Sequence, residues 1–121
     1  MSAQVKKFEF SNLPEISELS NHLMLKQIIS NKDLNGSVSM TWVKIDGQHQ
    51  SLRTHSKLRV YFIISGNFEF KIDSEHSFQL EKYDVLTLEV GSAYSLMGTG
   101  EYLVLNSPAF KDGDDEYLQD N

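Results

Sequence analysis

From Ser37 onward, apolar side chains recur at every second position, and that rhythm constrains the fold more than any other feature of the chain. Ser37 to Ile45 alternates small polar residues with Val38, Met40 and Trp42. Val60 to Ser65 is a nearly continuous apolar run, and Phe68 to Ile72 reads Phe, Glu, Phe, Lys, Ile. Phe78 and Leu80, Val85 to Val90, Tyr94 and Leu96, and Tyr102 to Leu105 continue the pattern. Period two is the side-chain repeat of a β-strand. Strand candidates arriving roughly every 8 to 12 residues, with turn signals at Gly66-Asn67 and Asp73 to Ser77, predict an all-β sandwich or barrel. A chain of 121 residues has room for one such domain, so all strands share one core.

The ends differ in texture. Phe8 to Phe10 reads as an extended arm. Leu13-Pro14 followed by Glu15, Ile16 and Leu19 predicts a short helix with proline in its first turn. Leu23 to Ser30 reads as a strand, and Asn31 to Gly36 as a turn. The predicted organisation is one domain in three parts: an arm, helix and strand over 1–36, a barrel core over 37–110 and an acidic tail over 111–121. The tail sets Lys111 against Asp112, Asp114, Asp115, Glu116 and Asp120, and it carries −4 of the net charge of −6. It is expected to be solvated, with Phe110 or Tyr117 resting on the surface. The alternative is an arm or strand crossing to a partner subunit.

A net charge of −6 argues against binding nucleic acid through its phosphates, which needs a basic footprint. The absence of cysteine excludes a disulfide framework, a thiolate metal site and a cysteine nucleophile. No apolar run approaches the ~20 residues that span a bilayer, and the first ten residues lack a signal-peptide core. The expectation is a soluble cytoplasmic protein with neither nucleic-acid nor membrane partners.

Gly47 is followed by five residues, then Arg53-Thr54-His55, three residues, Arg59, six residues and Gly66. This spacing resembles the first motif of the cupin superfamily, in which Arg53 stands for the first metal-binding histidine, His55 for the second and Arg59 for the glutamate. The second motif is similar in outline: Tyr83, Asp84, Glu89-Val90-Gly91, Tyr94 and Gly98 fall on its positions, with Tyr94 at the last ligand. Ser107-Pro108-Ala109-Phe110 is similar to the close of small one-domain cupins. The resemblance covers Ser37 to Phe110 and implies a double-sheet β-barrel of jelly-roll type, with a short N-terminal helix added.

It also implies that the family's metal is missing. Guanidinium offers no lone pair, and two of them repel a cation. No metal and no other cofactor is therefore expected; His22, His49 and His76 read as surface residues, with a metal-dependent cupin using a relocated site as the remote alternative. If the alignment places Arg53, His55, Arg59 and Tyr94 in the barrel mouth, the arginine forks suit an anion: a carboxylate, a sugar phosphate or a nucleotide sugar. An internal carboxylate such as Glu89 or Asp84 neutralising them is the competing arrangement. His55 as base with Tyr94 or Tyr61 as acid suits proton transfer, as in the superfamily's metal-independent isomerases and epimerases, or in a lyase. Trp42 reads as barrel or interface filling that can also line the ligand pocket. A non-catalytic binding or sensing barrel is the alternative from another class, and a homodimer is expected from the outward aromatics.

Overall fold

The computed structural model describes residues 5–118. Its strands, in chain order, are β1 (Ile16–Glu18), β2 (Leu23–Ile29), β3 (Ser39–Gln48), β4 (Leu52–Thr54), β5 (Leu58–Ile72), β6 (His76–Leu80), β7 (Val85–Glu89), β8 (Ala93–Ser107) and β9 (Asp115–Tyr117). All pairings are antiparallel. One path runs β1-β2-β3-β8-β4-β9, and β5 pairs with β6, β7 and β8. β5 and β8 lie side by side from Leu58 opposite Ser107 to Ile72 opposite Tyr94, while β7 borders the first half of β5 and β6 the second. The sheet curls around this long pair into a half-barrel. Its core holds Ile45, Leu52, Ile63, Phe68, Phe70, Leu96 and Tyr102. Among the described residues, no helix is long and apolar enough to cross a membrane.

The predicted strands are present, but several join. The run Val60 to Ser65 and the alternation Phe68 to Ile72 belong to one strand, and Gly66-Asn67 is not a hairpin turn. Between Ile63 and Ser65 the register slips by one residue. A bulge of this kind reverses side-chain parity, so Arg59, Tyr61 and Ile63 before it share the buried side with Phe68 and Phe70 after it. Gly66 is required for space: a Cβ there would stand 2.0 Å from the Thr99 carbonyl oxygen on β8. Asp73 and Ser74, both at positive φ, make the predicted turn into β6.

The N-terminal helix takes another form. Ile16–Glu18 is a strand on the edge of β2, with Ile16 opposite Leu25 and Glu18 opposite Leu23. Helical backbone survives there only as single 3-10 turns at Phe10–Asn12 and Leu19–Asn21. A helix nucleus fixes several residues for one hydrogen bond, and the few residues between Pro14 and Leu19 gain more by pairing with a free strand edge.

The acidic tail is also structured as far as Leu118, Asp120 lying outside the described residues. β9 pairs with β4, Thr54 opposite Asp115 and Leu52 opposite Tyr117, within the same chain. His55 N–H donates to the Asp114 carbonyl at 2.7 Å, and Leu118 N–H to the Ser51 carbonyl at 2.9 Å. Three of its carboxylates find side-chain partners: Asp114 with Lys111 at 2.8 Å, Asp115 with Arg59 at 2.6 Å and Glu116 with His55 at 2.9 Å. The charge run reads as solvated because two of these partners, Arg59 and His55, lie far away in sequence.

Candidate functional site

Alternation along the strands sends Leu25 and Gln27 of β2, Thr41 and Val43 of β3, Arg59 and Tyr61 of β5, and Tyr102, Val104 and Asn106 of β8 toward one interior cavity of about 200 Å³. Glu18 at the end of β1, Leu23 of β2, His49 just after β3, Phe110, and Asp115 and Tyr117 of β9 complete its lining.

Arg59 is the hub of the polar side. It is 2% exposed. Its Nε donates to Asn106 Oδ1 at 2.7 Å, its Nη1 to the Tyr94 hydroxyl at 2.9 Å and its Nη2 to Ser56 Oγ at 3.4 Å. Nη2 also lies 2.6 Å from Asp115 Oδ1, an ionic contact in which no N–H points directly at the oxygen. Burial opposes the guanidinium charge, but Tyr61, Tyr94 and Asp115 outweigh it and raise the pKa, so Arg59 stays protonated. Tyr94 passes the network on, its hydroxyl hydrogen-bonded to that of Tyr61. Burial raises the pKa of both phenols; Arg59 and the hydrogen bonds it and Tyr61 make pull that of Tyr94 partly back. Both therefore hold their protons at neutral pH. Because Arg59 fills one lone pair of the Tyr94 oxygen, Tyr94 can donate to Tyr61 and leave the Tyr61 proton for the cavity.

His49 is held by its backbone. Its N–H donates to the Leu96 carbonyl at 2.9 Å, and the next residue, Gln50, is fixed by its N–H to Asn21 Oδ1 at 2.8 Å. Nδ1 lies 2.8 Å from the Gln50 carbonyl oxygen. A carbonyl only accepts, so Nδ1 carries the proton and Nε2 keeps its lone pair. The ring stacks on Tyr117 at 6.1 Å between centroids. Burial lowers the His49 pKa, against the opposing pull of the Gln50 carbonyl, Glu18 and Asp115, so the imidazole is neutral near pH 7.

The sequence-predicted residues divide. Arg59 and Tyr61 line the cavity, and Tyr94 backs them through hydrogen bonds. Arg53 and His55 face away. Leu52 and Thr54 take the buried positions of β4, and strand alternation then turns Arg53 and His55 outward together. Arg53 Nη1 donates to the Gly91 carbonyl at 2.8 Å, and half-exposed His55 pairs with Glu116. Trp42 occupies the opposite side of β3 from Thr41 and Val43. Its Nε1 donates to Glu101 at 2.9 Å and its ring meets Phe10 edge-on at 5.1 Å. The counter-charge of Arg59 is neither Glu89 nor Asp84 but Asp115 from the tail. His49, read from sequence as a surface residue, lines the cavity instead. One signal for the parity was present: apolar Leu52 marks the inward positions of β4. None placed His49, whose position depends on the Leu96 and Asn21 contacts.

The interior does not fit the family's divalent cation. Of the four ligand positions, the two that face inward hold a guanidinium and a protonated phenol. Among the described residues, no three His, Asp or Glu side chains form a group that could hold a metal ion.

No family profile matches the chain, and no curated protein matches it. Solved structures do. The nucleoside dehydratase Pac13 of Streptomyces superposes with a TM-score of 0.81 over 96% of this chain and 92% of its own, at 15% identity. Pac13 is also known with uridine in three variants, replacing one histidine or either of two tyrosines. KdgF from Halomonas sp. gives 0.77 over 90% of this chain and 98% of its own, at 14% identity. An RmlC-like cupin from Shewanella frigidimarina gives 0.72 over 90% and 96%, at 17% identity. The fold of this chain is the cupin fold.

Proposed function

We propose that this cupin-fold chain is a metal-independent acid–base enzyme of the lyase type, which removes water from a small, uncharged, polar metabolite of the nucleoside or sugar class. The observation that carries the reading is the content of one cavity: a neutral imidazole with a fixed tautomer shares it with a buried phenol, Tyr61, that a second phenol behind it links to a guanidinium.

The chemistry follows from those groups. His49 Nε2 takes a proton from the carbon adjacent to the one that bears the leaving hydroxyl, and the C–H electron pair forms the new C=C bond between those two carbons as the C–O bond breaks. Tyr61 gives its proton to the departing hydroxyl, which leaves as water. Tyr94 replenishes Tyr61, and the positive charge of Arg59 stabilises the phenolate that results. Return of the His49 proton to the tyrosine pair through solvent restores both groups.

The ligand class differs from the anion expected from sequence. Glu18 and Asp115 line the cavity against the single charge of Arg59, so the site already contains its anion. The variants of Pac13 support the residue roles. There the replaced histidine precedes the two tyrosines by 13 and 47 residues; here His49 precedes Tyr61 and Tyr94 by 12 and 45.

A thermal-shift panel of nucleosides and sugars against their phosphates tests the ligand class, since a ligand that binds only the folded state raises its melting temperature. Mass spectrometry of the stabilising compounds then tests for loss of water. His49→Gln is expected to retain binding and to lose about 10²- to 10⁴-fold in turnover. Stabilisation by phosphates alone, or turnover unaffected by His49→Gln, overturns the reading.

A further inference from the structure

Asn106 is 3% exposed and faces the cavity from β8. Its side-chain oxygen accepts from Arg59 Nε at 2.7 Å. Guanidinium can only donate, so the carboxamide cannot be turned the other way. Its NH2 group therefore points away from Arg59, and among the described residues it donates to no protein group and remains open to the cavity. A donor that opens onto a cavity without a protein partner is answered by water or by an acceptor on a ligand.

Two further polar side chains stand beside it. Ser39 is opposite Asn106 across β3 and β8, which makes Thr41, two residues along the same face, its diagonal neighbour, about 7 Å away between Cβ atoms. Gln27 lies directly opposite Thr41 on β2. Both line the same cavity, and neither side chain hydrogen-bonds to another described residue. The three supply a fixed donor, a hydroxyl and an amide that both donates and accepts, bordered by apolar Val104, Leu25 and Phe110.

We infer that Asn106, Thr41 and Gln27 form a subsite that reads the carbonyl and N–H edge of an amide-bearing heterocycle, as presented by a pyrimidinedione nucleoside, with Asn106 donating to the carbonyl oxygen. This rests on the cavity being the ligand site proposed above and narrows its substrate class. The fixed donor selects a ring carbonyl over a ring amino group, because two facing donors leave both unpaired. A site that reads a polar group in this way discriminates more sharply than an apolar pocket does.

The test is calorimetric titration of the full chain with uridine, cytidine and methyl β-D-ribofuranoside. The wild type is expected to bind uridine at least tenfold more tightly than cytidine. Asn106→Asp keeps an oxygen for Arg59 and turns the cavity side from donor to acceptor. It is expected to lower uridine affinity at least tenfold, shift the preference toward cytidine, and leave the riboside unchanged. Gln27→Ala, at an exposed position of β2, is expected to weaken uridine several-fold and leave the riboside unchanged. Equal loss of all three ligands in Asn106→Asp, or no change with uridine, overturns the subsite while leaving the catalytic reading intact. The same holds if the wild type binds the riboside but not uridine. Binding of none of the three by the wild type overturns the subsite and the proposed ligand class together.

Discussion

Arg59 Nη2 stands 2.6 Å from Asp115 Oδ1, so the single cation of the cavity on β5 is met by a carboxylate from the last strand of the fold. The contact does two things: it supplies the counter-charge of a guanidinium that is 2% exposed, and it ties β9 over the cavity.

Removing the carboxylate separates these roles. Asp115→Ala leaves Arg59 its hydrogen bonds to Asn106, Tyr94 and Ser56, so the cost is expected to fall below that of fully orphaning a buried charge, at about 2 kcal/mol. Urea denaturation measures it. The variant is also expected to gain an anion site. Phosphate or acetate should raise the melting temperature of Asp115→Ala and leave the wild type unmoved; equal shifts in both would show that Asp115 does not fill the place of an anion.

His49 predicts a pH window. Burial holds its pKa below the ordinary value of about 6.5, so near and below that pH the unfolded chain binds a proton that the folded chain resists. The unfolded state then gains protons as pH falls, and stability declines with it. The contribution is fully present above about pH 6.5 and is lost as pH falls through the lower, folded-state value. Denaturation curves between pH 7.5 and 5 should therefore show a decline that His49→Gln flattens. Asp114, whose pKa is lowered despite its burial by hydrogen bonds from Lys111, acts only in the more acidic carboxylate range. An unchanged slope in His49→Gln would mean that the imidazole does not sit in the dry environment described.

The phenol pair predicts non-additivity. Tyr61→Phe removes one hydrogen-bonding partner and is expected to cost about 1 kcal/mol. Tyr94→Phe leaves both Tyr61 and Arg59 Nη1 without a partner and is expected to cost about 2 kcal/mol. The double variant should fall short of the sum by about 1 kcal/mol, as coupled neighbours do. Turnover should separate the two differently. Tyr61→Phe removes the proposed donor and is expected to lose about 10²-fold or more, whereas Tyr94→Phe leaves a donor in place and should lose less. A larger loss in Tyr94→Phe would exchange the two roles.

The barrel was legible in the sequence because period-two alternation reports burial directly, and the spacing of Gly47, His55, Gly66 and Gly91 carried the likeness to the cupins. The inward facing of Arg59 and Tyr94 was legible because they lie on long strands whose facing is set by many residues at once. Arg53 and His55 point outward, and their facing was hard to read because a three-residue strand gives alternation little to act on and the spacing of the motif outweighed the apolar Leu52 just before them. His49 and Asp115 were missed for another reason. Each is positioned by contacts to residues distant in sequence, Asn21 and Leu96 for the first and Arg59 for the second, and such contacts leave no local pattern.

His55 makes the contrast measurable. Its ion pair with Glu116 is half exposed on both sides, a geometry worth at most about 1 kcal/mol. His55→Ala is therefore expected to unfold within about 1 kcal/mol of the wild type and to keep its turnover. A loss of turnover comparable to that of His49→Gln would restore His55 as the base and remove His49 from that role.

Gly66 tests whether the curl of the sheet positions the site. Its φ of +89° is already one that a side chain resists, and an added Cβ would lie 2.0 Å from the Thr99 carbonyl oxygen and 2.7 Å from Gly100 Cα. All of these atoms are backbone, so relief requires β5 and β8 to move apart. Gly66→Ala is expected to cost about 3 kcal/mol or more. Arg59 and Tyr61 lie on β5, and Asn106 and Tyr94 on β8. A wedge between those strands should therefore loosen the hydrogen bonds from Arg59 to Asn106 and Tyr94 as well. The measurement is the melting temperature together with ligand affinity in whatever fraction folds. Full affinity in a folded Gly66→Ala protein would show that the site does not depend on the close approach of these two strands.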